Sequence, residues 1–123
     1  MTNYRKRLGA LGETIAADYL SKLGYTVLER NYRCSLGEID IVTTKGDYLV
    51  FVEVRARRNL EFGLPEESVT TTKCRKLMAL AEAYIQKHER LPANWRIDVV
   101  ALEFAPDRSI KRITLIENAV SQV

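Results

Sequence analysis

At 123 residues the chain has the length of a single domain, 1–123, able to bury roughly two thirds of its unfolded surface without staples. Hydrophobic residues make up 46% and charged residues 28%, the balance of an ordinary soluble globular protein, and the formal net charge of +3 permits an anionic partner without demanding one. Cys34 and Cys74 lack metal-site spacing and are too few for a disulfide scaffold, so both are expected to be reduced. No apolar run approaches a membrane span, which speaks against a membrane partner. The opening "MTNYRKRLGALGETIAADYL" is basic and then partly apolar, but Glu13 and Asp18 interrupt it and no small-residue cleavage site follows. A cytoplasmic protein is expected.

Leu8, Leu11, Ile15, Ala16, Tyr19, Leu20 and Leu23 recur at helical spacing, and Gly24 supplies the stop. "YTVLERNYR" is a β-rich run suited to a strand. Two further strands are expected over 38–44 and 48–57, and "RNLEFGLPEES", with Gly63 and Pro65, reads as a loop. A second helix starts after Ser68 or Thr70, with Cys74, Leu77, Met78, Ala81, Tyr84, Ile85 and His88 as its apolar stripe and Pro92 beyond its end. "WRIDVVALEF" and "IKRITLIE" make two more strands, joined by the turn-like "APDRS". The order is α-β-β-β-α-β-β. A strand–helix–strand unit after a meander implies an α/β fold, a mixed sheet flanked by helices with a right-handed crossover.

The stretch "GEIDIVTTKGDYLVFVEVRARR" places acids inside what otherwise reads as two buried strands. Charged groups are rarely buried unless paired or bound to metal. A Gly46–Asp47 hairpin loop pairs Lys45 with Tyr48. Counting outward then sets Val42 opposite Phe51, Asp40 opposite Glu53 and Glu38 opposite Arg55, and puts all six on one face. The other face of the second strand, from Tyr48 through Val50, Val52 and Val54 to Ala56, is apolar and should pack on a helix. Directly opposed carboxylates about 5 Å apart repel by roughly 3 kcal/mol at an effective dielectric near 20. A cation, a shared proton or a bridging arginine would each relieve that repulsion. An exposed salt-bridge ladder of these acids with Arg55 and Arg57 is the plain alternative.

Hard divalent ions such as Mg²⁺ take oxygen ligands, usually one or two carboxylates completed by water and substrate phosphate. Such an ion orients and acidifies water and offsets charge on a phosphodiester, and a fixed cation beside it adds stabilisation. Asp40, Glu53 and Arg55 supply these parts.

"GEIDIV" followed by "LVFVEVRAR" resembles the PD-(D/E)XK signature of the restriction-endonuclease-like superfamily, with Asp40 and Glu53 in the acidic positions and Arg55 in the basic one. Nearly the whole chain is similar to the uncharacterised bacterial YraN family, through "GETIAADYL", "GYTVLERNYR", "GEIDIV", "LVFVEVRAR", "FG", Lys73 and "RIDVVAL". That family is in turn similar to archaeal Holliday junction resolvases, which carry a glutamate on the first helix; the resemblance carries this over to Glu13. It implies a restriction-endonuclease-like fold, catalytic roles for Asp40, Glu53, Arg55 and Glu13, and Mg²⁺ or Mn²⁺ held by Asp40 and Glu53. By analogy with enzymes that cut symmetric junctions, it implies a homodimer. The position usually written as lysine is Arg55, which can stabilise phosphate charge but cannot take a proton from water, and Ile39 stands where the signature has proline.

Arg55, Arg57, Arg58, Lys73, Arg75 and Lys76 form a basic group around the loop after the hairpin, suited to holding a nucleic-acid backbone without reading its sequence. A solvated charged face is the plain reading of the same residues. Glu38 is either a ligand or an ion-pair partner of Arg55. His88 reads as a partly buried or capping residue, Trp95, Tyr84 and Phe104 as core, and Asp98 as structural and paired with Arg96 or an arginine across the sheet. The function expected is metal-dependent hydrolysis of structured or branched DNA, the alternative a nucleic-acid-binding protein that kept the fold without hydrolysis. A protein-interaction domain with an ionic surface would be a third.

Overall fold

The computed structural model describes residues 2–58 and 63–119, with the side chains of 2–8 and 68 outside the description. Residues 59–62 of the expected loop, including Phe62 of the "FG" pair, lie outside the described residues, as does the Leu8 side chain. The elements run α1 (Thr2–Lys22), β1 (Thr26–Cys34), β2 (Gly37–Lys45), β3 (Tyr48–Arg57), a 3₁₀ turn (Pro65–Ser68), α2 (Thr71–Lys87), β4 (Asn94–Phe104) and β5 (Ile110–Ile116). The strands form one sheet in sequence order. Among the described residues β3 and β4 pair in parallel, whereas β1–β2, β2–β3 and β4–β5 are antiparallel. A parallel pair needs a long crossover, and α2 provides it.

Alternation along β3 feeds two cores. Val50 and Val52 pack with Ile41, Val100, Leu102 and Phe104 against Ala16 and Leu20 of α1. Leu49 and Phe51 pack with Ile39, Val42 and Ile97 against Leu77, Leu80, Ala81 and Tyr84 of α2. The helices therefore cover opposite faces, and the apolar face expected for β3 meets α1.

Helix α1 touches the sheet through Gly12, Ala16 and Leu20, at i, i+4 and i+8. Its expected stripe is wider than that contact, so Leu11 and Leu23 remain exposed. Gly12 brings the helix close: a Cβ there would meet Leu102 Cδ1 at 3.3 Å and Ala56 Cβ at 3.4 Å. Gly12→Val is expected to lift α1 from the sheet and lose about 1–3 kcal/mol, the usual cost of overpacking, read by denaturant unfolding. The helix ends as its glycine signals. Gly24 takes φ 93°, and the Tyr25 N–H returns to the Leu20 carbonyl at 3.0 Å, a Schellman closure. Lys45 Nζ satisfies the Leu23 carbonyl at 2.6 Å.

Thr70 caps α2, its side chain accepting from the Lys73 N–H at 3.2 Å. His88 is the C-cap, its Nδ1 lying 2.8 Å from the Tyr84 carbonyl. Asp98 is fully buried and does take Arg96, whose Nε lies 3.0 Å from Oδ1. It also accepts from the Tyr25 hydroxyl at 2.8 Å and from the Asn118 N–H at 2.9 Å. Burial, followed by the hydrogen bond to Asp98, pushes the Tyr25 hydroxyl up to about 12. Among the described residues no helix is long and apolar enough to cross a membrane.

Candidate active site

The β2–β3 ladder follows the register set by the Gly46–Asp47 loop, Lys45 opposite Tyr48 and Val42 opposite Phe51. It runs only as far as Ile41 opposite Val52. Beyond that rung β2 continues with β1 alone, through Tyr32 opposite Ile39 to Cys34 opposite Gly37. Side-chain alternation breaks at the same place: Ile41 packs toward α1, whereas both Ile39 and Val42 pack toward α2. On β1 the counterpart is Asn31 at φ 55°, a left-handed conformation that asparagine tolerates. It lies between Arg30, which reaches α1, and Tyr32, which packs toward α2. The single-face arrangement expected for Glu38, Asp40, Val42, Phe51, Glu53 and Arg55 is therefore not what forms, because strict alternation needs both strands to stay pleated.

The break puts Asp40 where β2 leaves its neighbour. Its Oδ2 accepts from the Val54 N–H at 2.8 Å, taking over a ladder bond that the β2 backbone no longer makes. Asp40 also shares a hydrogen bond with the Glu53 side chain. Burial first, and then the Glu53 charge, push the Asp40 carboxyl up to about 8, against the pull of the Val54 N–H. On the α1 side, one carboxylate oxygen each from Glu13, Glu38 and Asp40 lie within 4.8 Å of one another. Burial, opposed mainly by Arg30, raises the Glu13 carboxyl. Glu13 Oε1 is buried without a hydrogen-bond partner, its nearest cation being Arg30 Nη2 at 3.8 Å.

Glu53 is buried from the other side. Its Oε2 receives Arg55 Nη2 at 3.0 Å and Lys73 Nζ at 3.3 Å. Glu38 pairs with Arg33 at 3.3 Å rather than with the expected Arg55, since the splayed strand carries it away from β3. The basic residues of the loop region do not converge equally. Lys73 reaches into the site, Arg57 is half-buried on β3, and Arg75 and Lys76 are exposed along α2. Arg58 is exposed and donates to the Pro106 carbonyl at 3.2 Å.

An all-oxygen group at this corner suits a hard cation. Adjacent ligands of an octahedral Mg²⁺ stand about 3 Å apart and opposite ones about 4.2 Å, so the Glu13–Glu38–Asp40 group, within 4.8 Å of one another, would close up or bind through waters to hold one. The Glu13 oxygen is a ligand atom that lacks a hydrogen-bond donor and has only the 3.8 Å ion pair with Arg30 beside it.

Several supporting residues carried no signal in the sequence. Arg30 bridges β1 to α1 through Thr14 at 3.1 Å and Glu13. Arg112 on β5 grips Glu66 of the 3₁₀ turn with two bonds of 3.0 Å, and its Nε lies 3.4 Å from the buried Glu103. That fork fixes the approach to α2 and so the first helical turn, from which Lys73 extends. The two partners stand 46 residues apart, beyond any local pattern.

A model of the uncharacterised protein family UPF0102 matches residues 12–102. A UPF0102 protein of Dehalococcoides mccartyi is 47% identical over 122 residues, covering 99% of each chain. One from Caldicellulosiruptor saccharolyticus is 43% identical over 115 residues, covering 94% of this chain and 98% of the relative. One from Roseiflexus castenholzii is 54% identical over 104 residues, covering 83% of each.

Proposed function

This chain belongs to the uncharacterised protein family UPF0102, and we propose that it is a metal-dependent endonuclease hydrolysing phosphodiester bonds in structured or branched DNA. The observation that carries the proposal is the meeting of Asp40 with Glu53, Glu13 and Glu38 where β2 parts from β3. Four acids at one partly buried corner are costly unless something positive joins them. Asp40 and Glu53 would hold Mg²⁺ or Mn²⁺, with Glu13 and Glu38 completing the group around Asp40. Once bound, the ion would supply a more acidic water and offset charge on the phosphate.

The chain's own groups do the rest. Asp40 is oriented by the Val54 N–H, so its second oxygen is aimed without a rotameric search. Arg55 stabilises negative charge on the phosphate but, as a guanidinium, leaves proton removal to another group. Arg57, Arg58, Lys73, Arg75 and Lys76 position the DNA backbone. A homodimer would bring two such sites to a symmetric branch, and a cytoplasmic location suits that substrate. The second reading is a DNA-binding module without hydrolysis. What favours it is the pair of cations already on Glu53, which satisfies that carboxylate with no ion present.

Incubation of the purified protein with branched, flapped and linear DNA, and with an RNA duplex, in the presence of Mn²⁺ separates the readings. Cleavage of a branched DNA is expected, falling at least about a hundredfold in Asp40→Asn and in Glu53→Gln, the scale of losing one preorganised charge. Salt-dependent binding with no cleavage under any metal would establish the binding module instead. Cleavage that appears only in Arg55→Lys would locate the missing chemistry at that residue.

A further inference from the structure

We propose that Arg55 and Lys73 together guard Glu53 in the free protein and yield it only to a DNA phosphate, so that phosphodiester and divalent ion enter the site as a coupled pair. This rests on the reading of the site as a metal-dependent nuclease centre.

Three observations lead there. Both cations bind the same oxygen, Glu53 Oε2, at 3.0 and 3.3 Å, and this is a carboxylate that a metal would need. Two positive charges face the single charge of Glu53, so Arg55 and Lys73 carry more charge than that carboxylate alone neutralises. The Glu53 side chain is only 5% exposed and cannot turn away, whereas those of Arg55 and Lys73 are 30% and 29% exposed and have room to swing outward. The two cations also arrive from separate elements, Arg55 from β3 and Lys73 from the first turn of α2, so each can move without the other.

A divalent ion approaching the free protein therefore meets two positive charges at one of its carboxylates. A phosphate changes this. A guanidinium engages phosphate oxygens with paired N–H donors, and an ammonium adds a point charge. Arg55 has donors to spare, since its Nε is buried without an acceptor. Once both cations turn to the phosphate, Glu53 Oε2 is released to the ion. Linkage makes the effect reciprocal: whatever factor DNA adds to metal affinity, the metal adds to DNA affinity.

The test is Mn²⁺ binding, read from the electron paramagnetic resonance signal of the free ion, with and without an uncleavable phosphorothioate four-way junction. An Asp40→Asn/Glu53→Gln protein mixed with the same DNA gives the background. In the wild-type chain the junction is expected to tighten Mn²⁺ about tenfold, within the ~5–150-fold range of coupled sites. Lys73→Gln and Arg55→Gln are each expected to bind Mn²⁺ more tightly without DNA, and the junction should then add less than about twofold. Lys73→Arg, which keeps the charge, should behave as wild type. Tight Mn²⁺ binding by the wild-type chain that DNA leaves unchanged overturns the guarding role while leaving the metal centre standing. Absence of specific Mn²⁺ binding in every variant, with or without DNA, overturns both.

Discussion

Asp40→Asn is expected to stabilise the fold by about 2–3 kcal/mol at pH 9 and to have almost no effect near pH 4. The Asp40 carboxyl titrates near 8 in the folded protein, against an ordinary value of 3.8. A group whose value is raised on folding contributes fully below its unfolded value. That contribution is lost as pH climbs through the folded one, because the native state must then either keep a proton the solvent wants or hold a buried charge. At about 1.4 kcal/mol per pH unit over that interval, the upper bound is about 6 kcal/mol. Local relaxation around the buried charge brings the expected gain to the smaller figure. Asparagine suits the position. Its carbonyl oxygen can accept from the Val54 N–H as Asp40 Oδ2 does at 2.8 Å, and its amide can donate to Glu53. Urea unfolding at pH 4.5, 7 and 9 checks the prediction. A gain independent of pH, or a loss at pH 9, would show that the native carboxyl is not held against its charge.

Asp98→Ala is expected to act in the opposite direction and more strongly, losing about 3–5 kcal/mol, the cost of breaking a buried charge network by removing one partner. Asp98 is wholly buried and joins three segments: the end of α1 through Tyr25, its own strand through Arg96, and the chain after β5 through the Asn118 N–H. Deleting it strands a hydroxyl, a guanidinium and a backbone donor at once. Tyr25→Phe removes one of those bonds and the 3.2 Å bond that Arg96 Nη2 donates to the hydroxyl, but leaves Asp98 its other two partners, so its cost should be about 1–2 kcal/mol. Comparing the two variants by urea unfolding at pH 7 isolates the charge. Equal losses would mean that Asp98 serves Tyr25 alone. A domain is stable by only about 5–15 kcal/mol, so the larger figure is a substantial share.

The elements were legible because each carries its own period. The 3.6-residue stripe of α2 buries Cys74, Leu77, Leu80, Ala81 and Tyr84, and the alternation of β3 divides Val50 and Val52 from Leu49 and Phe51. The hairpin register was legible too, since a two-residue loop leaves little freedom, and it holds from Lys45 to Ile41. What escaped the sequence is the place where β2 turns away. Nothing local announces that Asn31 adopts φ 55°, because asparagine is tolerated there without being required. Counting by twos therefore carried Glu38 to Arg55, whereas the folded strand delivers it to Arg33. Glu13 entered only through family resemblance, for a helix pattern does not say which flank lies over an open strand end. The Gly12 contact with Leu102 and Ala56 decides that in three dimensions.

Where β2 departs, β3 changes character midway along its length. Its first half lies between two neighbours, whereas from Glu53 to Arg57 it is bonded only to β4. The second half is thus a raw sheet margin inside a small protein, the kind of surface on which a stray strand can add. Asp40 plugs one rung of that margin by binding the Val54 N–H, and the side chains of Arg55 and Arg57 set charge along the rest. The same acid proposed to seat an ion thereby also leaves one fewer bare backbone donor on which a stray strand could add. An alanine at position 40 would confound the two duties, because aggregation and silence in an assay look alike; asparagine, which keeps the plug, is the replacement that tells them apart.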